Sequence, residues 1–133
     1  MTYKLFILHS WDHDDDYKAL NDLLDNTGLG FYDFSASRDK PIEGTATDAE
    51  LREAIKQKML PVSCVIALAG VYASHSKWME IEIEVAHELN KKIVGVRPQG
   101  NKRISQLVQD NAFEMVDWNA KSLGNAIRNA TFG

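Results

Sequence analysis

Lys77-Trp78-Met79-Glu80-Ile81-Glu82-Ile83-Glu84-Val85-Ala86-His87-Glu88-Leu89-Asn90 is the stretch whose reading decides the fold. Taken alone, Glu80 to Val85 alternates strictly between charged and apolar residues, the pattern of a half-buried strand. Over the wider window Trp78, Ile81, Val85, Ala86 and Leu89 fall at i, i+3, i+7, i+8 and i+11, the stripe of an amphipathic helix. The longer pattern predicts a helix. At about 100° per residue, Glu80, Glu84 and His87 lie on its wet side. Glu82 sits one turn after Trp78 and one turn before Ala86, inside the apolar stripe.

With that segment helical, strands and helices alternate along the whole chain. Tyr3 to Leu8 is a near-continuous apolar run, suited to a strand covered on both faces as in a parallel sheet. Asp14-Asp15-Asp16 opens a helix carrying Tyr17, Leu20 and Leu24 at helical spacing, and Asn26-Thr27-Gly28 closes it. Phe31 to Phe34 reads as a second strand, and Ser35 to Gly44 as one long polar loop. Thr47-Asp48-Ala49-Glu50 has the capping-box pattern ahead of Leu51, Ala54, Ile55 and Met59, and Pro61 stops that helix. Ser63 to Ala69 and Lys92 to Val96 read as strands, Ile104 to Val108 as a short helix, Phe113 to Trp118 as a last strand and Ser122 to Ala130 as a last helix. Five alternations with short connections predict a doubly wound, five-stranded parallel sheet with helices on both faces.

Composition narrows the class further. The 133 residues carry 15 Lys+Arg against 19 Asp+Glu, a net charge of −4, with 44% apolar and 26% charged residues. At that size one domain spanning residues 1–133 is expected. The acidic balance speaks against nucleic acid bound through its phosphates. No apolar run approaches the roughly 20 residues that span a bilayer, and no basic segment precedes a cleavage site, so a cytoplasmic protein without a membrane contact is expected. A lone Cys64 excludes an internal disulfide framework and a multi-cysteine zinc site, and its apolar surroundings make it a small core residue.

Glu82 is the residue that needs explaining. A carboxylate on a buried face loses hydration and must find donors or change its pKa. It is then either a structural carboxylate paired with a neighbouring strand or loop, or the border of a cleft in contact with a ligand. Topology favours the cleft. Ligands of open α/β sheets bind beyond the carboxyl ends of the strands where the winding reverses, which in a flavodoxin-like order 2-1-3-4-5 lies between the first and third strands. His9-Ser10-Trp11-Asp12 ends the first strand and Gly70-Val71-Tyr72 the third, so His9 and Glu82 are positioned to face one crevice.

Other constellations are weaker. Asp12 to Asp16 fails as a calcium loop, because Tyr17 stands where glycine is required and Leu23 where the bidentate glutamate belongs. A receiver-type phosphoacceptor would need an aspartate ending the third strand, where Ala67-Leu68-Ala69-Gly70 offers none. His9 and His13 have metal-pair spacing but straddle a strand end and a loop, and His75 and His87 read as exposed, so no metal site is expected. Gly28-Leu29-Gly30 precedes a strand instead of following one, and no phosphate-binding P-loop is present. Arg38, Lys40 and Lys77 read either as contacts to an anionic ligand or as solvated surface charge.

Val71-Tyr72-Ala73-Ser74-His75-Ser76-Lys77-Trp78-Met79-Glu80-Ile81-Glu82-Ile83 resembles the Tyr-Ala-Ser…Trp-x-x-x-Glu signature of TIR domains. Lys4 to Ser10 resembles the family's first strand, and Ser35 to Gly44 occupies the place of its BB loop. The resemblance runs along the whole chain and is closest to the small prokaryotic TIR-like proteins of Thoeris antiphage defence. Leu8 departs from it, standing where many members carry a small polar residue.

The resemblance implies an enzyme of the NAD+ nucleosidase or ADP-ribosyl cyclase type. NAD is its substrate, cleaved at the nicotinamide–ribose bond, and no further cofactor is implied. Glu82 would be the catalytic glutamate, Trp78 a wall of the site, and His9, Ser10 and Ser76 its neighbours at the substrate. The product would be a cyclic or conjugated ADP-ribose signal reaching a downstream effector by diffusion. Self-assembly through Ser35 to Gly44 is a further implied partnership. Two other functions fit the same residues: a non-catalytic TIR-like interaction and self-assembly module, and an N-glycosidic enzyme acting on nucleosides.

Overall fold

The computed structural model describes residues 2–8, 14–34, 47–70, 77–100 and 103–132. Five strands and five helices alternate: β1 Thr2–Leu8, α1 Asp14–Asp25, β2 Gly30–Asp33, α2 Asp48–Met59, β3 Cys64–Leu68, α3 Lys77–Glu88, β4 Ile93–Val96, α4 Gln106–Asn111, β5 Glu114–Val116 and α5 Ala120–Phe132. All pairings are parallel and the strand order is β2-β1-β3-β4-β5. This is the flavodoxin-like sheet expected from the alternation. The reversal of winding falls between β1 and β3, where Leu5 to Leu8 pair with Cys64 to Ala67. No described helix is long and apolar enough to cross a membrane.

The central strands β3 and β4, and β1 from Leu5 to Leu8, are apolar because they bury side chains on both faces. On one face Leu5, Ile7, Cys64, Ile66, Leu68, Val94 and Val96 pack against Leu20 and Leu24 of α1 and Leu123, Ala126 and Ile127 of α5. On the other, Phe6, Leu8, Val65, Ala67, Ala69 and Ile93 pack against Ile55 and Met59 of α2, Met79, Ile81, Ile83, Val85 and Ala86 of α3 and Val108 of α4. Burial of Cys64 in the first layer pushes its thiol up to about 12, so it stays protonated and inert at neutral pH.

Local chemistry sets the element ends. Thr47 caps α2, its Oγ1 accepting from the Glu50 amide at 3.2 Å and donating to the Glu50 carboxylate. Asn90 takes a left-handed conformation, φ 58°, after α3, and the Lys91 amide reaches back to the Ala86 carbonyl at 2.8 Å. The Lys91 ammonium then donates to the carbonyls of Leu60 and Val62 at 2.9 and 2.8 Å, tying the exit of α3 to the turn before β3. Two exposed ion pairs, Arg52–Glu84 and Lys56–Glu88, join α2 to α3 at matching one-turn intervals. Glu88 raises the Lys56 pKa through its hydrogen bond and its charge.

One expected helix starts later than its apolar pattern implies. Ile104 is not helical: it forms an antiparallel bridge with Gly70, and Ser105 becomes the cap of α4, its Oγ accepting from the Val108 amide at 3.3 Å. A serine side chain that satisfies a free helix amide competes with continuing the helix backwards through its own backbone. The last strand is likewise shorter than Phe113 to Trp118: the ladder with β4 runs over Glu114–Val116, and the Phe113 amide adds one bond to the Ile93 carbonyl at 2.7 Å.

Gly95 is the tightest point of the second layer. A Cβ built there would run into the Met115 thioether and lie 3.2 Å from Val108 Cγ1, so α4 and β5 close over β4 only because this residue has no side chain. Gly95→Val is expected to lower the unfolding free energy by about 1–3 kcal/mol, the usual penalty of overpacking. Denaturant titration checks this, and unchanged stability would contradict the packing account.

Candidate functional site

The helix reading of residues 77–90 holds, and α3 shows why the short alternation appears. Met79, Ile81, Glu82, Ile83, Val85 and Ala86 are all buried, while Glu80, Glu84, His87 and Glu88 are exposed. At about 100° per residue the buried positions span roughly 200° of the helix, and Glu82 falls at the middle of that arc. Both isoleucines flanking Glu82 are therefore inside, one on each shoulder. The stripe is wider than the i, i+3, i+7 pattern predicts, because α3 packs against its neighbour α2 as well as against the sheet.

Glu82 is 2% exposed. It is not an isolated buried charge, since it takes part in a polar or electrostatic interaction. A buried carboxylate loses several kcal/mol of hydration, which an aliphatic residue at that position would not. Its place along the helix matters as much as its burial. In a parallel sheet the crossover helix runs back from the carboxyl end of one strand to the amino end of the next, and Lys91 anchors the far end of α3 beside the start of β3. Glu82 is the sixth residue of α3, some 7–8 Å from its first residue at 1.5 Å rise, in the half toward the carboxyl ends. Side-chain bulk on the facing strand falls in the same direction, from Val65 to Ala67 to Ala69.

Among the described residues Glu82 and Ser105 are the two buried polar side chains. Ser105 was not legible as such, because its place in an apolar-looking pentapeptide read as the interior of a short helix. A serine three residues before Val108, ahead of Gln106 and Leu107, is the capping signal that identifies it. Its amide donates to the Ala69 carbonyl at 2.8 Å, so residues 103–105 cross the carboxyl end of β3.

The remaining expected site residues divide by placement. His9, Ser10 and Ser76 lie outside the described residues, as do His13, His75, Arg38, Lys40 and the Ser35 to Gly44 loop. Trp78 belongs to α3, but its side chain is outside the described set, as is that of Lys77. His87 is exposed, with Nε2 2.8 Å from Asn111 Oδ1, a contact between α3 and α4 at the amino end of the sheet. A cavity of about 370 Å³ lined by His87, Lys91, Lys92, Asn111 and Phe113 opens at that same end, away from Glu82. No group of three or more potential metal ligands occurs among the described residues.

Comparison with known proteins agrees with this architecture. The family described as Thoeris protein ThsB, TIR-like domain, matches residues 6–103. A conserved protein from Enterococcus faecalis V583 superimposes with a TM-score of 0.64 at 12% identity, covering 97% of this chain and 99% of that one. The Clostridium botulinum CMP N-glycosidase BcmB superimposes with a TM-score of 0.53 at 16% identity, covering 95% and 98% respectively. At such identities these likenesses establish the fold. By sequence, no curated protein matches the chain.

If Glu82 serves a ligand and not the fold, Glu82→Gln retains the unfolding free energy to within about 1 kcal/mol, whereas breaking a structural buried pair costs about 3–5 kcal/mol. Chemical unfolding of the two proteins side by side measures this, and a loss in the higher range would make Glu82 a structural carboxylate.

Proposed function

The chain belongs to the TIR-like domain family of the Thoeris protein ThsB, and we propose from that premise that it cleaves the nicotinamide–ribose bond of NAD and passes the ADP-ribosyl group to an acceptor. The observation that carries the proposal is the buried carboxylate of Glu82 at the middle of the inward face of α3, toward the carboxyl ends of the strands.

The chemistry asks for one carboxylate. When the C1′–N bond breaks, its electron pair goes to the pyridinium nitrogen, and nicotinamide leaves neutral without needing a proton. Positive charge then develops on the ribose as an oxocarbenium-like centre, as in glycoside cleavage. A carboxylate held out of water stabilises that charge more strongly than a solvated one, and it accepts hydrogen bonds from the ribose hydroxyls. The oxocarbenium is captured by an acceptor that gives up a proton. Water yields ADP-ribose, an atom of the adenosine yields a cyclic product, and another amine or hydroxyl yields a conjugate. His9, Ser10, Ser76 and Trp78 take their places around this substrate by family resemblance. The product serves as a diffusible signal to an effector in antiphage defence, and self-assembly through Ser35 to Gly44 completes the reading.

A second reading draws on the shared fold with the CMP N-glycosidase: cleavage of the base–ribose bond of a nucleotide other than NAD. The same carboxylate would serve it. Incubating the protein with NAD and, separately, with CMP distinguishes the two by the base released.

Nicotinamide release from NAD by wild-type protein is expected, with Glu82→Gln slower by about 100-fold or more, the scale of losing a main electrostatic stabiliser. Liquid chromatography of the reaction mixtures reads both the base and the ribosyl product. Equal release by the two proteins would remove Glu82 from the chemistry, and no release by concentrated wild-type protein would overturn NAD cleavage; absence of base release from CMP as well would leave the interaction module as the function.

A further inference from the structure

Asp33, Arg97, Asp117 and Arg103 are four charged residues at the carboxyl ends of the strands whose side chains are described. Asp33 ends β2 and accepts the Tyr17 hydroxyl. Arg97 follows β4 and Asp117 follows β5, and the two pair at 3.0 Å. The fourth is Arg103, which is exposed and has no polar partner among the described residues. Three of the four are engaged with the fold, and one is not.

The backbone beneath Arg103 is well held. Ile104 bridges to Gly70 at the end of β3, the Ser105 amide donates to Ala69, and the Ser105 side chain, 1% exposed, caps α4. These bonds hold the backbone next to Arg103 at the carboxyl end of β3, one of the two strands that flank the reversal of winding, and its guanidinium has no polar partner among the described residues. The chain as a whole has a charge of −4. A guanidinium without a partner among the described residues attracts an anion where the ligand of this fold sits. A guanidinium also presents paired donors that match two oxygens of a phosphate group.

We infer that Arg103 binds the pyrophosphate of the substrate, and so selects dinucleotides over uncharged nucleosides. The inference rests on the N-glycosidic reading of Glu82, and it assigns to the site an anion-binding residue outside the Trp78 to Glu82 motif. Arg103 anchors the part of the substrate that does not react, while Glu82 faces the ribose that does.

Calorimetric titration with ADP-ribose, on wild-type protein, Arg103→Ala and Arg103→Lys, tests the inference without requiring turnover. Arg103→Ala is expected to weaken ADP-ribose binding about tenfold, as loss of a charge-assisted contact does, with Arg103→Lys recovering part of the loss. Affinity of the wild type should also fall more steeply with salt than that of Arg103→Ala. Equal binding by wild type and Arg103→Ala overturns the inference, as does wild-type protein that does not bind ADP-ribose. Binding that depends on Arg103 in a protein that releases no nicotinamide upholds the anion site and refutes the NAD-cleaving reading.

Discussion

The arrangement of this protein turns on a carboxylate kept out of water at the centre of a helix face that otherwise buries only apolar side chains. Met79, Ile81, Ile83, Val85 and Ala86 hold α3 against the sheet, and Glu82 sits among them at 2% exposure. Rotating α3 to release Glu82 would bring Ile81 or Ile83 into water, at about 1.5–3 kcal/mol for a fully exposed side chain. The helix is thereby locked in the orientation that buries Glu82. The ion pairs of Glu84 and Glu88 with α2 lie on the outer side and contribute little by themselves, since exposed pairs seldom do.

The two ends of the sheet have separate tasks. At the amino end, Lys91 draws two carbonyls of the turn before β3 onto the exit of α3, His87 meets Asn111, and the Lys92 ammonium lies 4.6 Å from the centre of the Phe113 ring. These contacts fasten the helices to the connections. At the carboxyl end the Gly70–Ile104 bridge and the Ser105 cap shape the edge of β3, and Arg103 has no polar partner there among the described residues. In open parallel sheets that is the end where ligands bind.

Most of the fold was legible because it is carried by local periodicity. A five-residue apolar run such as Cys64 to Leu68, set between Pro61 and Gly70, is too short for a helix and reads as a strand with both faces covered, and Leu20, Leu24, Ile55 and Met59 mark helical faces. Glu82 was legible because its 3.6-residue phase places it in the stripe, in spite of the misleading two-residue alternation around it. Ser105 and Arg103 were not, because their placement comes from a bridge between residues 34 positions apart, which no local pattern encodes. The closure over Gly95 is similarly non-local: it depends on Met115 and Val108 arriving from β5 and α4. Non-local pairing is what a one-dimensional reading of propensity leaves out.

The central claim is that Glu82 touches the reacting ribose. A crystal structure of the Glu82→Gln protein with NAD bound tests it most directly, because the amide preserves the shape of the site while slowing the chemistry. The account predicts the nicotinamide ribose hydroxyls within hydrogen-bonding distance of the residue 82 side chain, about 2.7–3.2 Å. NAD bound with its ribose away from that side chain would contradict it.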